Sequence, residues 1–202
     1  MPMLDLEPAA REAARLLDGV TEEQLAGPTP CPGYPVAALL DHITGFSLAF
    51  TWAARKTTAT EGGSGESGPG LANAEHLDPD WRTLLPRRLG ELAEAWRDPT
   101  AWQGMTEPGG MRMPAELIGA VALDELVLHG WDLARATGQP FTCDPVSTAA
   151  VLAFTSASAQ PERAASRDGL FGPVIDVPED APTFDRALGF AGRDPAWTPT
   201  ST

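Results

Sequence analysis

One stretch constrains this chain more than any other: Ala122-Leu-Asp-Glu-Leu-Val-Leu-His-Gly-Trp-Asp-Leu-Ala-Arg-Ala-Thr-Gly138. It reads as the C-terminal part of a long buried helix, because apolar residues occupy almost its whole circumference. Gly138 stops it as a residue that turns left-handed without strain. Around a helix turning ~100° per residue, Glu125, His129 and Asp132 fall within about 60° of one another. Ile118, Val121 and Ala122 project from that same face. Ionisable groups aimed at a core are costly unless they are paired or bound to a metal. A Glu and a His one turn apart can hold one divalent cation together, as facing helices do in bundle metal sites. The plain alternative is a buried Glu125–His129 hydrogen bond, since any helix can contain Glu-x-x-x-His.

The other apolar periodicities supply partners for that helix. A first helix is expected over residues 8–18, with Asp5 near its start and Ala10, Ala13, Leu16, Leu17 and Val20 on its apolar side. Thr21-Glu-Glu-Gln24 has the form of a capping box. Gly27-Pro-Thr-Pro-Cys-Pro-Gly33 is a stiff connector. A second helix follows over 35–55, where Leu39, His42, Phe46, Ala49 and Ala53 form a core stripe with His42 in its middle. A third covers 81–97, with Leu84, Leu85, Leu89, Leu92 and Trp96 inward and Pro86 in its early turns. Two short extended pieces are expected to flank Glu107-Pro-Gly-Gly110, before Pro114 opens the long helix. A fifth helix is expected over 145–160, with Val146, Ala149, Ala150, Ala153 and Phe154 as its apolar side. Residues 56–79, centred on a Gly/Ser-rich run, are expected to form a mobile loop. Residues 161–202 form a loop-rich tail, with one short helix near 183–188.

The charge balance narrows the function classes. The chain carries 14 Lys+Arg against 28 Asp+Glu, a net charge of −14. That argues against a nucleic-acid-binding face and against anionic membranes. The two cysteines, Cys31 and Cys143, do not make a disulfide scaffold. Neither a signal-peptide pattern nor a run of 18 apolar residues is found, so a cytoplasmic location is expected. Of the three histidines, His76 lies in the expected loop and should be solvated, whereas His42 and His129 lie on apolar helical faces. Asp132 reads as a partner for a ligand histidine or as a packing acceptor. Cys31 reads either as a nucleophile or ligand near a helix start, or as an inert buried thiol. Tyr34, Trp52 and Trp131 read as packing residues, with Trp131 placed to wall a pocket beside His129.

Two segments carry a family resemblance. Thr29-Pro-Cys-Pro-Gly-Tyr-Pro-Val-Ala-Ala-Leu-Leu-Asp-His42 resembles the start of the second helix in actinobacterial DinB-like proteins of the mycothiol-dependent maleylpyruvate isomerase group. Asp124-Glu-Leu-Val-Leu-His-Gly-Trp-Asp-Leu-Ala-Arg-Ala-Thr-Gly-Gln139 resembles the other half of that signature. The tail segments Leu170-Phe-Gly-Pro-Val and Gly192-Arg-Asp-Pro-Ala-Trp197 are similar to those of short members. The resemblance implies an all-α fold: one DinB-type four-helix bundle spanning 1–202, with an extra helix and the loop-rich tail. It implies His42, Glu125 and His129 as metal ligands. The ion it implies is divalent, zinc first, with nickel, iron, cobalt or manganese as alternatives. It further implies mycothiol as cosubstrate in isomerisation or transfer on a small electrophile. The other function class is a non-catalytic metal-binding regulatory or stress protein. The expected partner is a small-molecule substrate, with no nucleic acid or membrane, and a homodimer is left open because the sequence does not set the oligomeric state. The chain departs from the family at Tyr34, where Trp is frequent, and at Ala38, where Asp is frequent. The full isomerases also carry a sterol-carrier-like domain, which is not expected within these 202 residues.

Overall fold

The helix expected to be most covered takes the central place. In the computed structural model, which describes residues 3–57, 72–107, 112–163, 167 and 170–199, four helices ring one core. They are α1 (Glu7–Leu17), α2 (Val36–Arg55), α3 (Trp81–Ala95) and α4 (Ala115–Thr137). α1 and α2 each pack against both α3 and α4, which closes the bundle. α5 (Pro145–Ser158) lies on the outer side of α4 and packs against α6 (Thr183–Phe190). The all-α expectation holds. The core is aliphatic: Leu39, Leu40, Leu85, Leu89, Leu92, Leu123 and Leu126 are fully buried. Each such side chain contributes about 1.5–3 kcal/mol over an exposed one. α2 is apolar and long enough to cross a membrane, but most of its surface is buried among the other helices.

Local signals account for most boundaries. Asp5 accepts the Glu7 N–H one position ahead of the N-cap. Thr21 and Gln24 form the expected capping box, in which Thr21 donates its N–H to Gln24 Oε1. Pro35 is the N-cap of α2 rather than its first helical residue. Thr106 closes the other end of α2 by donating its hydroxyl to the Ala53 carbonyl. The two short extended pieces exist, as Met105–Thr106 and Met113–Pro114 paired antiparallel; the turn between them, 108–111, is outside the described residues. Ala115 N–H then bonds Gly104 O, so the ribbon hands the chain directly to α4. Gly138 ends α4 at φ 69°. Trp102 lies against α4 at Gly119, where a β-carbon would fall 2.4 Å from the indole.

Three expectations need correction. On α5, Val146, Ala149 and Ala153 are exposed, and the buried seam is Ser147, Val151 and Thr155. This helix is small and apolar nearly all round, so hydropathy alone does not select a face; the small residues at i, i+4 and i+8 allow close approach. Thr155 satisfies its hydroxyl on the Val151 carbonyl. His42 is not in the middle of the core but at its edge, with 27% of its side chain exposed. Leu84 is half-buried rather than inward. The expected mobile loop falls mostly on 58–71, outside the described residues. Its last part is ordered: the turn at Ala74–His76 packs on α2, and Asn73 N–H bonds Asp41. His76 is exposed there, as its place in the sequence suggested.

Candidate metal centre

α2 and α4 face each other at the site. Glu125 and His129 stand one turn apart on α4, and His42 projects from α2 toward them. Glu125 Oε2 lies 3.1 Å from His42 Nε2 and 3.1 Å from His129 Nε2. One donor atom from each of the three residues lies within 4.8 Å of the other two. The residues suit a metal ion on two grounds. Donors at ~2.0–2.2 Å from a tetrahedral centre are ~3.3–3.5 Å apart, so a small outward shift of each side chain makes room. The set of two imidazoles and one carboxylate is also that of open divalent-metal sites.

Electrostatics makes the three groups interdependent. Burial opposes the charge on Glu125, but hydrogen bonds with His129 and His42 outweigh it and hold the carboxyl well below the usual range. Burial likewise opposes a charged His129, but Asp132 and Glu125 carry its pKa up to about 9. The metal-free centre is therefore an anion shared by two imidazoles, with a proton held where a cation could sit.

Behind the donors is a buried chain of polar groups. His129 Nδ1 donates to Asp132 Oδ2 at 3.0 Å, which leaves Nε2 aimed at Glu125 and His42. Asp132 is fully buried, and Arg193 reaches it from the C-terminal segment with Nη2 3.1 Å from Oδ2. Burial raises the Asp132 carboxyl, but the Arg193 charge and the His129 hydrogen bond bring it below its ordinary value. One residue before Glu125, Asp124 is buried as well, and its Oδ1 has no hydrogen-bond partner among the described residues. Burial, then the charge of Glu125, pushes that carboxyl well above its ordinary value.

The approach to the site is aromatic. Tyr34 sits 5.5 Å from His42, Phe46 meets His42 edge-on at 5.5 Å, and Phe46 stacks on His129 at 6.2 Å. The connector before α2 brings Tyr34 and Cys31 here. Thr29 pins it by donating to the Tyr34 carbonyl and accepting the Cys31 N–H. Cys31 Sγ, a His129 nitrogen and an Asp132 oxygen also lie within 4.8 Å of one another. Burial, then the charge of Asp132, pushes the Cys31 thiol up to about 12, so it is a neutral thiol rather than a thiolate.

Of the residues singled out from the sequence, His42, Glu125 and His129 come together, with Asp132 behind His129 and Cys31 beside it, and His76 is not among them. Arg193 escaped the sequence reading. The signal that could have found it was the need of a carboxylate on an apolar face for a cation, with Arg193 within a tail segment already noted.

A family profile described as the mycothiol maleylpyruvate isomerase N-terminal domain matches residues 6–134. The chain belongs to this family. A Mycobacterium tuberculosis protein described as uncharacterized, found in strains CDC 1551 and H37Rv, is 26% identical over 204 aligned positions. That alignment covers 95% of this chain and 97% of the relative. Among solved structures, the crystal structure of the mycothiol-dependent maleylpyruvate isomerase matches with a TM-score of 0.57 at 18% identity, covering 96% of this chain and 79% of that one. A histidine-to-alanine mutant of that isomerase matches with a TM-score of 0.56 at 19% identity, covering 74% and 66% respectively. At such identities the likeness to the solved structures speaks for the fold alone.

Proposed function

We propose that the chain is a divalent-metal-dependent enzyme that uses a small thiol, mycothiol, to isomerise or transfer a group on a small electrophile, with His42, Glu125 and His129 as the metal ligands. The observation that carries the reading is the convergence of three donors at the rim of a buried polar chain. His42 and Glu125 keep 27% and 21% of their side chains exposed, whereas His129 keeps 7%. Donors reachable from outside favour a catalytic centre over a closed, non-catalytic one. A bound divalent ion, zinc foremost, supplies a Lewis acid that lowers the pKa of a thiol or water brought to it.

The protein's own groups divide the remaining work. Asp132 takes the Nδ1 proton of His129 as a hydrogen bond and thereby fixes which ring nitrogen is free. Phe46 and Tyr34 pack against the histidine rings, and Phe46, itself buried, gives His129 an apolar neighbour. Cys31, held as a neutral thiol, is a poor nucleophile and leaves that role to an external thiol. A cytoplasmic setting, where such thiols are reduced, fits the reading. A homodimer is compatible with it.

The test is metal per chain by elemental analysis of protein purified without added metal, together with turnover of maleylpyruvate with and without mycothiol. Wild type should hold about one ion per chain, and His42→Ala and His129→Ala should lose it while staying folded. Full metal content in both variants overturns the ligand assignment. Metal loss without loss of a thiol-dependent turnover overturns the catalytic role.

A further inference from the structure

We propose that Arg193 is a positioning residue for the metal centre: it leaves the C-terminal segment, grips Asp132, and through Asp132 sets the ring of His129. This rests on the metal reading above. It adds a part of the centre that lies far outside the matched residues 6–134.

The grip is two-pronged. Arg193 Nη2 is 3.1 Å from Asp132 Oδ2, and Nε is 3.5 Å from Oδ1. The third nitrogen, Nη1, donates to the Ala191 carbonyl at 3.0 Å. The guanidinium is therefore held from both sides. Asp132 Oδ2 accepts from Arg193 and from His129 Nδ1 at once. Rotation of the carboxylate to suit the histidine alone would break the arginine contact, so the fork fixes the plane in which Nδ1 must lie. A buried carboxylate also needs a permanent countercharge. A neutral, metal-ligating His129 supplies none, and Arg193 does.

The backbone is built to deliver this side chain. α6 ends in a Schellman motif: Gly192 N–H bonds Gly189 O, and Arg193 N–H bonds Leu188 O. Gly192 takes φ 77°, and a β-carbon there would meet the Gly172 backbone at 2.7–2.8 Å. The motif aims the residue that follows the glycine back toward α4. Farther on, Arg135 Nε donates to the Trp197 carbonyl at 3.1 Å, tying down the other side of the same segment.

That second tie supplies the control. Arg135→Gln loosens the tail without touching Asp132, whereas Arg193→Gln removes the grip itself. Zinc affinity would be measured by competition with a chromophoric chelator for wild type, Arg193→Gln, Arg193→Lys, Asp132→Asn, Arg135→Gln and the Arg193→Gln/Asp132→Asn double variant. Asp132→Asn should weaken zinc binding roughly 10-fold to 100-fold, as loss of an outer partner of a ligand histidine does, and Arg193→Gln should weaken it clearly but by no more than that. Arg193→Lys should recover part of the loss, Arg135→Gln should bind as wild type, and the double variant should be no weaker than Asp132→Asn alone. Wild-type affinity in Arg193→Gln overturns the proposal, as do equal losses in Arg193→Gln and Arg135→Gln, or losses that multiply in the double variant. If Arg193→Gln fails to fold, Arg193→Lys against Arg135→Gln decides on the same terms. A wild type that binds no zinc overturns the metal reading and this one with it.

Discussion

Raising the pH of the metal-free protein should destabilise it in part through His129. The ring is buried between Asp132 and Glu125, which carry its pKa to about 9 from the ordinary 6.5. A proton held more tightly in the folded state stabilises the fold fully below the ordinary value, and that contribution is lost as pH rises through the folded one. The window is thus about pH 6.5 to 9. The difference is equivalent to about 3 kcal/mol, or ~6–12 °C of melting temperature in a chain of this size. Glu125 and Asp132 are shifted the other way. Their contributions are complete above the ordinary carboxylate range and fall only in acid, so they do not mask the loss. The assay is a thermal melt of chelator-treated protein at intervals from about pH 6 to pH 10 for wild type and His129→Gln. Subtracting the variant cancels the titrating groups that do not interact with His129, among them the surface carboxylates. Wild type should lose several degrees relative to His129→Gln, and the stabilisation by added zinc should grow with pH as the ion ceases to compete with a proton. Parallel curves for the two proteins would refute the claim that the carboxylates hold a proton on this ring.

Two further substitutions test the scaffold. Gly119→Ala places a methyl 2.4 Å from Trp102 and 2.8 Å from Trp96, whose indoles are both held by hydrogen bonds; it should cost about 1–3 kcal/mol in urea unfolding despite the better helix former. Asp144→Ala removes the cap that accepts the Val146 and Ser147 N–H groups. It should cost about 1 kcal/mol, read by the same unfolding curves, with zinc affinity unchanged.

What was legible in the sequence follows the range of the interactions. Glu125, His129 and Asp132 are neighbours on one helix, so spacing alone put them on one face. His42 was legible from its own stripe, though its exposure was not, because a periodicity says which side a residue takes and not how deep the neighbours bury it. The α5 seam was misread for a related reason: with apolar residues all round, shape complementarity at Ser147, Val151 and Thr155 decided the face. Arg193 was the hardest to see. It sits 61 residues from Asp132, and any of 14 basic residues could have answered the carboxylate. The choice was made by the path of the tail, which turns on the left-handed Gly192 and its close approach to Gly172. Donors encoded by helical spacing and support encoded by a turn elsewhere in the chain need not be retained together. On the proposed role of Arg193, a relative that keeps His42, Glu125 and His129 but lacks the arginine is expected to bind zinc more weakly, measured by the same chelator competition.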